Sequence, residues 1–206
     1  MEQGVHDRRV LLAMAALPRD AFLARSTSEP DEDLSVAIER GHTVPSARLI
    51  ALMLQALELR GDERVLDVGT GSGYQAALLG HLAREVYSIE IDPALARSAR
   101  SAVERLGCSN VHVEEGDGST GWPSAGPYDA IIVGAAATDI PRQMIDQLAE
   151  GGRLVIPLGS EQGQLVERLR KHTDRLESET LTWCALEPLA YAWGRSRYRF
   201  PWVARA

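Results

Sequence analysis

A cluster of glycines directly after a short apolar run is the first feature of this sequence whose residue types could do chemistry. The run Val65-Leu66-Asp67-Val68 predicts a buried strand, and the residues from Tyr74 onward predict a helix. The intervening Gly69-Thr70-Gly71-Ser72-Gly73 therefore forms the turn at which an open α/β sheet binds nucleotides. Glycine suits this turn because a Cβ would obstruct both the tight backbone and an approaching ligand. The spacing is G-x-G-x-G rather than the dinucleotide fingerprint G-x-G-x-x-G, and such a turn can also bind nothing.

Acidic side chains stand at the ends of the next two predicted strands. Glu90 ends the second strand, about 20 residues beyond the glycines, where a carboxylate can accept hydrogen bonds from both hydroxyls of an adenosine ribose. Asp117 follows the third strand in Gly116-Asp117-Gly118 and can accept a hydrogen bond from the exocyclic amine of adenine. Each residue alone is also compatible with a surface glutamate or an ordinary Asp-Gly turn. Glycines and acids at three successive strand ends together predict a pocket for adenosine.

The pocket predicted from these residues does not require a phosphate. The sequence has no G-x-x-x-x-G-K-[ST] loop to hold a triphosphate. S-adenosyl-L-methionine therefore fits the pattern better than NAD or ATP, and S-adenosyl-L-homocysteine is the expected product. We expect no metal, because the five histidines have no metal-ligand spacing.

Strands and helices are predicted to alternate through the middle of the chain, which indicates a parallel sheet with helices on both faces. The predicted strands are residues 65–68, 86–90, 111–113, 130–133 and 153–156, and the helices between them are 74–83, 93–106 and 140–148. Residues 165–169 and 181–186 predict two further strands, added antiparallel. The expected fold is thus a Rossmann-like α/β fold.

The first third of the chain reads as helical. Residues 10–17 form an apolar run that ends at Pro18, and residues 47–59 have helical spacing, with Pro45 suited to the opening of that helix and Ser46 or Thr43 to its cap. We expect a single domain of 206 residues: a helical N-terminal cap over the site (1–60), a cofactor-binding core (61–160), and C-terminal strands and tail (161–206).

Composition limits the class of protein. With Lys+Arg 22 against Asp+Glu 29 the net charge is -7, which is unfavourable for a nucleic-acid binder. No apolar run is long enough to span a membrane, the first residues do not resemble a signal peptide, and the isolated Cys108 and Cys184 suit a reducing compartment. We expect a cytoplasmic protein, a monomer, that binds neither nucleic acid nor membranes.

Several segments resemble one known family. Residues 65–73 resemble the first motif of class I S-adenosylmethionine-dependent methyltransferases. Residues 128–137 (YDAIIVGAAA), residues 151–159 (GGRLVIPLG), and Gly116-Asp117-Gly118 followed by Gly121-Trp122 resemble protein-L-isoaspartate O-methyltransferases. The resemblance extends from residue 17 to residue 189 and is strongest between 64 and 159.

The resemblance implies roles for particular residues, all as expectations. The cofactor site would comprise Val44, Gly69, Thr70, Gly71, Ser72, Gly73, Glu90, Ile91, Asp117 and Gly118. The substrate site would comprise His42, Pro45, Arg48, Ala135 and Ala136. Thr43 and Ser46 would be the catalytic hydroxyls, because the family places a Thr-Ile-Ser-like stretch over the reacting centre.

The implied reaction is methyl transfer to an isoaspartyl or aspartyl carboxylate of a protein or peptide. The methyl ester would close to a succinimide, as in repair of damaged aspartyl residues. One departure leaves alternatives open: the family's serine aligns with Pro45, which has neither a hydroxyl nor an N–H, and Ser46 could replace it only if the backbone path differs. The alternatives are methylation of an aspartate in a dedicated ribosomal peptide, giving an aspartimide, and a cofactor-binding module with weakened catalysis.

Overall fold

The structure, a computed structural model, describes residues 4–22, 35–37, 43–160, 163–190 and 203–205. Its helices are α1 (Arg8–Ala16), α2 (Ala47–Ala56), α3 (Tyr74–Leu82), α4 (Pro93–Arg105) and α5 (Arg142–Gln147). A small antiparallel ribbon pairs β1 (Val36–Ala37) with β2 (Thr43–Val44). The main sheet contains β3 (Arg64–Val68), β4 (Glu85–Glu90), β5 (Val111–Glu115), β6 (Tyr128–Val133), β7 (Leu148–Ser160), β8 (Gly163–His172), β9 (Arg175–Cys184) and β10 (Val203–Arg205).

The order of strands in the main sheet creates a place for a ligand. The order is β10-β9-β8-β7-β6-β3-β4-β5, and the five strands from β7 to β5 run parallel. The chain builds outward from β3 to β4 and β5 and then returns to place β6 on the other side of β3. Ligands of open α/β sheets bind at such a reversal, beyond the carboxyl ends of the strands. Beyond β7, β8 and β9 are antiparallel and β10 pairs parallel with β9. The expected fold class is confirmed.

Some predicted boundaries differ from the structure. The helix predicted over 47–59 ends at Ala56, and Glu58 has a left-handed φ of 51°. The helix predicted over 140–148 begins only at Arg142, after Pro141. The strand predicted over 181–186 is Arg175–Cys184. Its first half alternates charged with other residues because one face of the antiparallel hairpin is solvated. An apolar run therefore marks only the second half of the strand.

The N-terminal residues pack on the helical face of the core. Helix α1 packs on α3, and the rings of Phe22 and Tyr74 lie 5.3 Å apart between centroids. Residues 74–79 at the start of α3 are all buried, which places the glycine turn before α3 on a rigid support. The predicted cap of residues 1–60 includes the β1–β2 ribbon as well as helices, and the three-part division of the chain stays a prediction. In the described residues, no helix has the length and apolar character needed to cross a membrane.

Candidate active site

The glycine turn after β3 has a backbone that other residues rarely adopt. Gly69, Gly71 and Gly73 have φ values of 90°, 55° and 88°. A Cβ on Gly73 would lie 3.2 Å from the Cβ of Ala99 in α4, whereas a Cβ on Gly71 would have no neighbour within 4 Å. Gly73 thus allows close packing of two helices, and Gly71 leaves open space on the ligand side.

A buried polar network fixes the turn from beneath. The carboxylate of Asp67 is fully buried and accepts hydrogen bonds of 2.7 Å from Gln75 Nε2 and from Ser88 Oγ. Ser88 Oγ in turn lies 2.6 Å from Thr70 Oγ1 in the glycine turn. Burial raises the pKa of Asp67 to about 6, against the opposing effect of the hydrogen bonds from Ser88 and Gln75. Sequence reasoning did not single out Asp67, although an acid inside an apolar strand is a visible signal.

The raised pKa of Asp67 predicts how stability depends on pH. Because the folded-state pKa exceeds the ordinary value near 4, this group's stabilising contribution is complete below pH 4 and is lost as pH rises through 6. Between pH 5 and 7.5 the ligand-free wild type should lose about 1 kcal/mol of unfolding free energy that Asp67→Asn retains. Urea unfolding of both proteins at the two pH values measures this difference. Parallel pH dependence of the two proteins would contradict the prediction.

Glu90 joins the glycine turn to the next strand. Its side chain lies at the carboxyl end of β4 and is 6% exposed. Oε2 accepts a hydrogen bond from the Gly71 N–H at 2.8 Å, and Oε1 accepts one from the Asp92 N–H at 2.9 Å. The carboxylate is therefore held in one orientation beside the open space at Gly71.

A cleft opens at these strand ends, with about 690 Å³ of empty space including its open mouth. Eight of the predicted site residues line it: Thr43, Pro45, Gly69, Gly71, Glu90, Ile91, Gly118 and Ala135. A smaller adjoining pocket adds three more, Val44, Thr70 and Ser72, and shares Thr43, Pro45, Gly69 and Gly71 with the cleft. The segment from Thr43 to Pro45 thus faces the glycine turn across the cleft.

Other predicted residues lie outside the cleft. Asp117 Oδ1 accepts hydrogen bonds from the N–H and the hydroxyl of Ser119, at 2.9 and 2.6 Å, which stabilise the turn at Gly118. Gly73 packs on α4, Arg48 is exposed, and Ala136 is buried behind the cleft wall. His42 lies outside the described residues.

Ser46 caps the helix that follows the Thr43–Pro45 segment. It is the N-cap of α2, and its Oγ accepts a hydrogen bond from the Leu49 N–H at 3.2 Å. This confirms the expected helix cap. Ser46 does not line the cleft, whereas Thr43 and Pro45 do. Of the two residues expected to supply catalytic hydroxyls, only Thr43 lines the cleft, and both roles stay predictions.

Sequence reasoning missed one wall of the cleft. The chain after β9 returns to the site, where Glu187 O accepts a hydrogen bond from the Ala136 N–H at 2.8 Å and Leu189 N–H donates to Ala136 O at 2.7 Å. Residues 186–190 line the cleft as a result. No local sequence pattern predicts this contact, because it joins segments about 50 residues apart.

The cleft has the features that an adenosine ligand needs. Ile89 and Leu95 add apolar surface next to the Glu90 carboxylate, which matches a flat apolar base attached to a ribose with hydroxyl donors. Gly118 has no room for a side chain, because a Cβ would meet Val68 Cγ1 at 2.5 Å. The residues present therefore fit the adenosyl part of the expected cofactor. In the part of the chain that the structure describes, no three His, Cys, Asp or Glu residues come together as metal ligands.

Known proteins resemble this chain over most of its length. The model of the family described as protein-L-isoaspartate(D-aspartate) O-methyltransferase matches residues 1–191. A protein-L-isoaspartate O-methyltransferase of Myxococcus xanthus is 50% identical over 161 residues, which are 78% of this chain and 76% of that protein. A protein of the same name from Geobacter metallireducens is 43% identical over 198 residues, 94% of this chain and 92% of the relative.

A solved structure agrees with the sequence comparisons. It is named protein-L-isoaspartate O-methyltransferase and matches with a TM-score of 0.80 and 28% identity. The match covers 90% of this chain and 62% of that longer chain. The chain therefore belongs to the protein-L-isoaspartate(D-aspartate) O-methyltransferase family.

Proposed function

We propose that this protein uses S-adenosyl-L-methionine to methylate the carboxylate of isoaspartyl residues in proteins and peptides. Family membership supports the reaction class. The observation that carries the proposal is the cleft itself, in which Gly71 and Glu90 lie on one side and Thr43 and Pro45 on the other. A nucleoside and an acidic acceptor can therefore meet there.

The residues on the glycine side would hold the cofactor. Glu90 would accept hydrogen bonds from the ribose hydroxyls, and Ile89 and Leu95 would contact the adenine. When bound, S-adenosyl-L-methionine supplies a methyl group that its positively charged sulfur makes electrophilic.

The acceptor needs little chemical activation. A carboxyl group of ordinary pKa, near 4, is ionised at neutral pH and is already a nucleophile, so no general base is required. The chain's task is to align the carboxylate and to exclude water, and alignment can supply about 7–11 kcal/mol of the barrier. The Thr43 hydroxyl would donate a hydrogen bond to one carboxylate oxygen and leave the other free to attack.

The product explains why such a reaction repairs aspartyl damage. The ester carbonyl is a better electrophile than a carboxylate, so the following backbone nitrogen attacks it, methanol leaves, and a succinimide forms. Water then opens the succinimide on either side, and a share of the product is normal aspartate. Repeated cycles convert isoaspartate to aspartate.

A matched pair of peptides tests the proposal. One hexapeptide carries isoaspartate and the other carries aspartate at the same position, and each is incubated with methyl-labelled cofactor. We expect a base-labile methyl ester on the isoaspartyl peptide and little label on its partner. Preference for the aspartyl peptide would favour a dedicated peptide substrate. Tight cofactor binding without ester on either peptide would contradict the proposal and favour a binding module.

Pro45 provides a prediction about rate. It lines the cleft where the family has a serine, and a hydroxyl there would form a second charge-assisted hydrogen bond to the carboxylate. Pro45→Ser should therefore raise kcat/KM for the isoaspartyl peptide about tenfold over Pro45→Ala. The alanine variant is the matched control because both substitutions remove the ring. Equal rates for the two variants would show that this position does not contact the acceptor.

Three further expectations about the protein stay predictions. They are activity without a metal ion, a monomeric state and a cytoplasmic location. Activity in the presence of a chelator tests the first, light scattering tests the second, and fractionation of cells tests the third.

A further inference from the structure

An arginine in the N-terminal segment holds the backbone opposite the glycine turn. Arg19 begins a short 3₁₀ helix, Arg19–Phe22, and is 8% exposed. Its Nη2 donates hydrogen bonds to Pro45 O at 2.6 Å and to Val44 O at 3.1 Å. One guanidinium therefore connects the N-terminal segment to two consecutive carbonyls of the segment that lines the cleft.

Among the residues that the structure describes, few other backbone contacts support the held segment, Thr43 to Pro45. Strand β2 has two residues and pairs with the two residues of β1 outside the main sheet. A two-stranded ribbon of this length is marginal without further packing, and Pro45 has no N–H to contribute. The side chain of Val44 is buried, and Ser46 caps the helix that follows the segment. The contacts from Arg19 fix the carbonyls of Val44 and Pro45.

The chemistry of arginine suits this task. Burial lowers the pKa of the Arg19 guanidinium, and electrostatic interactions with Tyr74 and Asp20 oppose that shift. Arginine nevertheless stays protonated in proteins, so its hydrogen bonds to the carbonyls are charge-assisted and stronger than neutral ones. The planar, rigid arrangement of its donors also fixes the angle at which the segment approaches.

We propose that Arg19 is a positioning residue for the methyl acceptor. It does not line the cleft and acts through Val44 and Pro45, whose placement sets the distance between Thr43 and the glycine turn. The inference rests on the proposed function, because the segment positions an acceptor only if a carboxylate enters the cleft. Loss of Arg19 should therefore impair the acceptor far more than the cofactor, whose expected contacts, apart from Val44, lie outside the held segment.

Arg9 offers a matched control within the same N-terminal segment. Its guanidinium also donates to two backbone carbonyls, Leu59 O at 2.6 Å and Leu82 O at 2.9 Å. Neither carbonyl belongs to a residue of the cleft. Variants of Arg9 and Arg19 thus lose similar stabilising contacts, and only the Arg19 contacts lie beside the cleft.

The kinetic experiment compares Arg19→Gln, Arg19→Lys and Arg9→Gln, each assayed well below its Tm. For Arg19→Gln we expect kcat/KM for the isoaspartyl peptide to fall about 30-fold, mainly through KM. The Kd of S-adenosylhomocysteine should change by no more than about threefold. Lysine should restore part of the loss because its ammonium can still donate to a carbonyl. Equal losses of kcat/KM in Arg19→Gln and Arg9→Gln, or an equal loss of cofactor affinity, would overturn the inference.

Hydrogen exchange provides a readout that needs no substrate. In Arg19→Gln the amides of residues 43–50 should exchange about tenfold faster, while those of β3 keep the wild-type rate. In Arg9→Gln residues 43–50 should exchange at the wild-type rate. Unchanged exchange in Arg19→Gln would overturn the inference whatever the activity. A wild type that esterifies no isoaspartyl peptide would contradict the proposed function, and the exchange result would still decide whether Arg19 holds the segment.

Discussion

Replacing Glu90 by glutamine should weaken the binding of S-adenosylhomocysteine about 100-fold. The carboxylate already accepts hydrogen bonds from the N–H groups of Gly71 and Asp92. It would use its remaining lone pairs for two ribose hydroxyls. Glutamine replaces one carboxylate oxygen by an NH₂ group, which donates and therefore cannot accept from the backbone N–H that this oxygen bound. Both the glycine turn and the ribose then lose a hydrogen-bond acceptor. Hydrogen bonds to a charged group contribute about 1.5–3 kcal/mol each, which accounts for the expected size of the effect.

The control for Glu90 lies on the neighbouring strand. Glu115 is the register partner of Glu90 on β5, and its side chain is exposed. Glu115→Gln removes the same charge close to the cleft without removing a ligand contact. Isothermal calorimetry should give a Kd within about twofold of the wild type for this variant. If the two variants bound with equal affinity, Glu90 would not be a ligand of the ribose.

Replacing Gly71 by alanine should abolish measurable cofactor binding while the protein remains folded. Gly71 has a left-handed φ of 55°, and its Cβ would enter the open space of the cleft, where the ligand must approach the backbone. Non-glycine residues tolerate this conformation at a cost of about 1–3 kcal/mol. The stability loss is therefore moderate, whereas the steric conflict with a bound nucleoside is direct.

Gly107 separates backbone strain from steric conflict. It also has a left-handed φ, 71°, and a Cβ there would meet no atom within 4 Å. Gly107→Ala should lower Tm about as much as Gly71→Ala, yet bind S-adenosylhomocysteine with wild-type affinity. Thermal unfolding measures the Tm of the two variants, and calorimetry measures their affinity for S-adenosylhomocysteine. Normal binding by Gly71→Ala would mean that the ligand does not approach this turn.

The parts of the site that sequence could predict are local in the chain. The glycine turn and Gly118 each follow a recognisable strand, Glu90 ends one, and the alternation of strands and helices brings those strand ends to one edge of the sheet. For the same reason the parallel half of the fold is predicted with small errors in its boundaries, except at β7, where residues 153–156 are predicted and the strand is Leu148–Ser160. Residue types and spacing were sufficient here because each structural decision involved only neighbouring residues.

The remaining parts depend on contacts between distant segments. The wall formed by residues 186–190 depends on backbone hydrogen bonds to Ala136. Residue types do not reveal which backbone groups will pair, because every residue has the same backbone carbonyl. The expected contact of Asp117 with adenine stays a prediction, and its Oδ1 also accepts hydrogen bonds from Ser119, a local interaction that the Asp-Gly pattern already allowed. Arg19 was not selected because its partners are carbonyls 25 and 26 residues away.

The central claim is that S-adenosyl-L-methionine bound in this cleft directs its reactive methyl group toward the segment from Thr43 to Pro45. A crystal structure with bound S-adenosylhomocysteine and an isoaspartyl peptide tests it most directly. We predict that both ribose hydroxyls contact Glu90, that the adenine lies between Ile89 and Leu95, and that the peptide carboxylate lies between the sulfur and Thr43. Adenosine bound elsewhere, or a sulfur facing away from Thr43 and Pro45, would contradict the account.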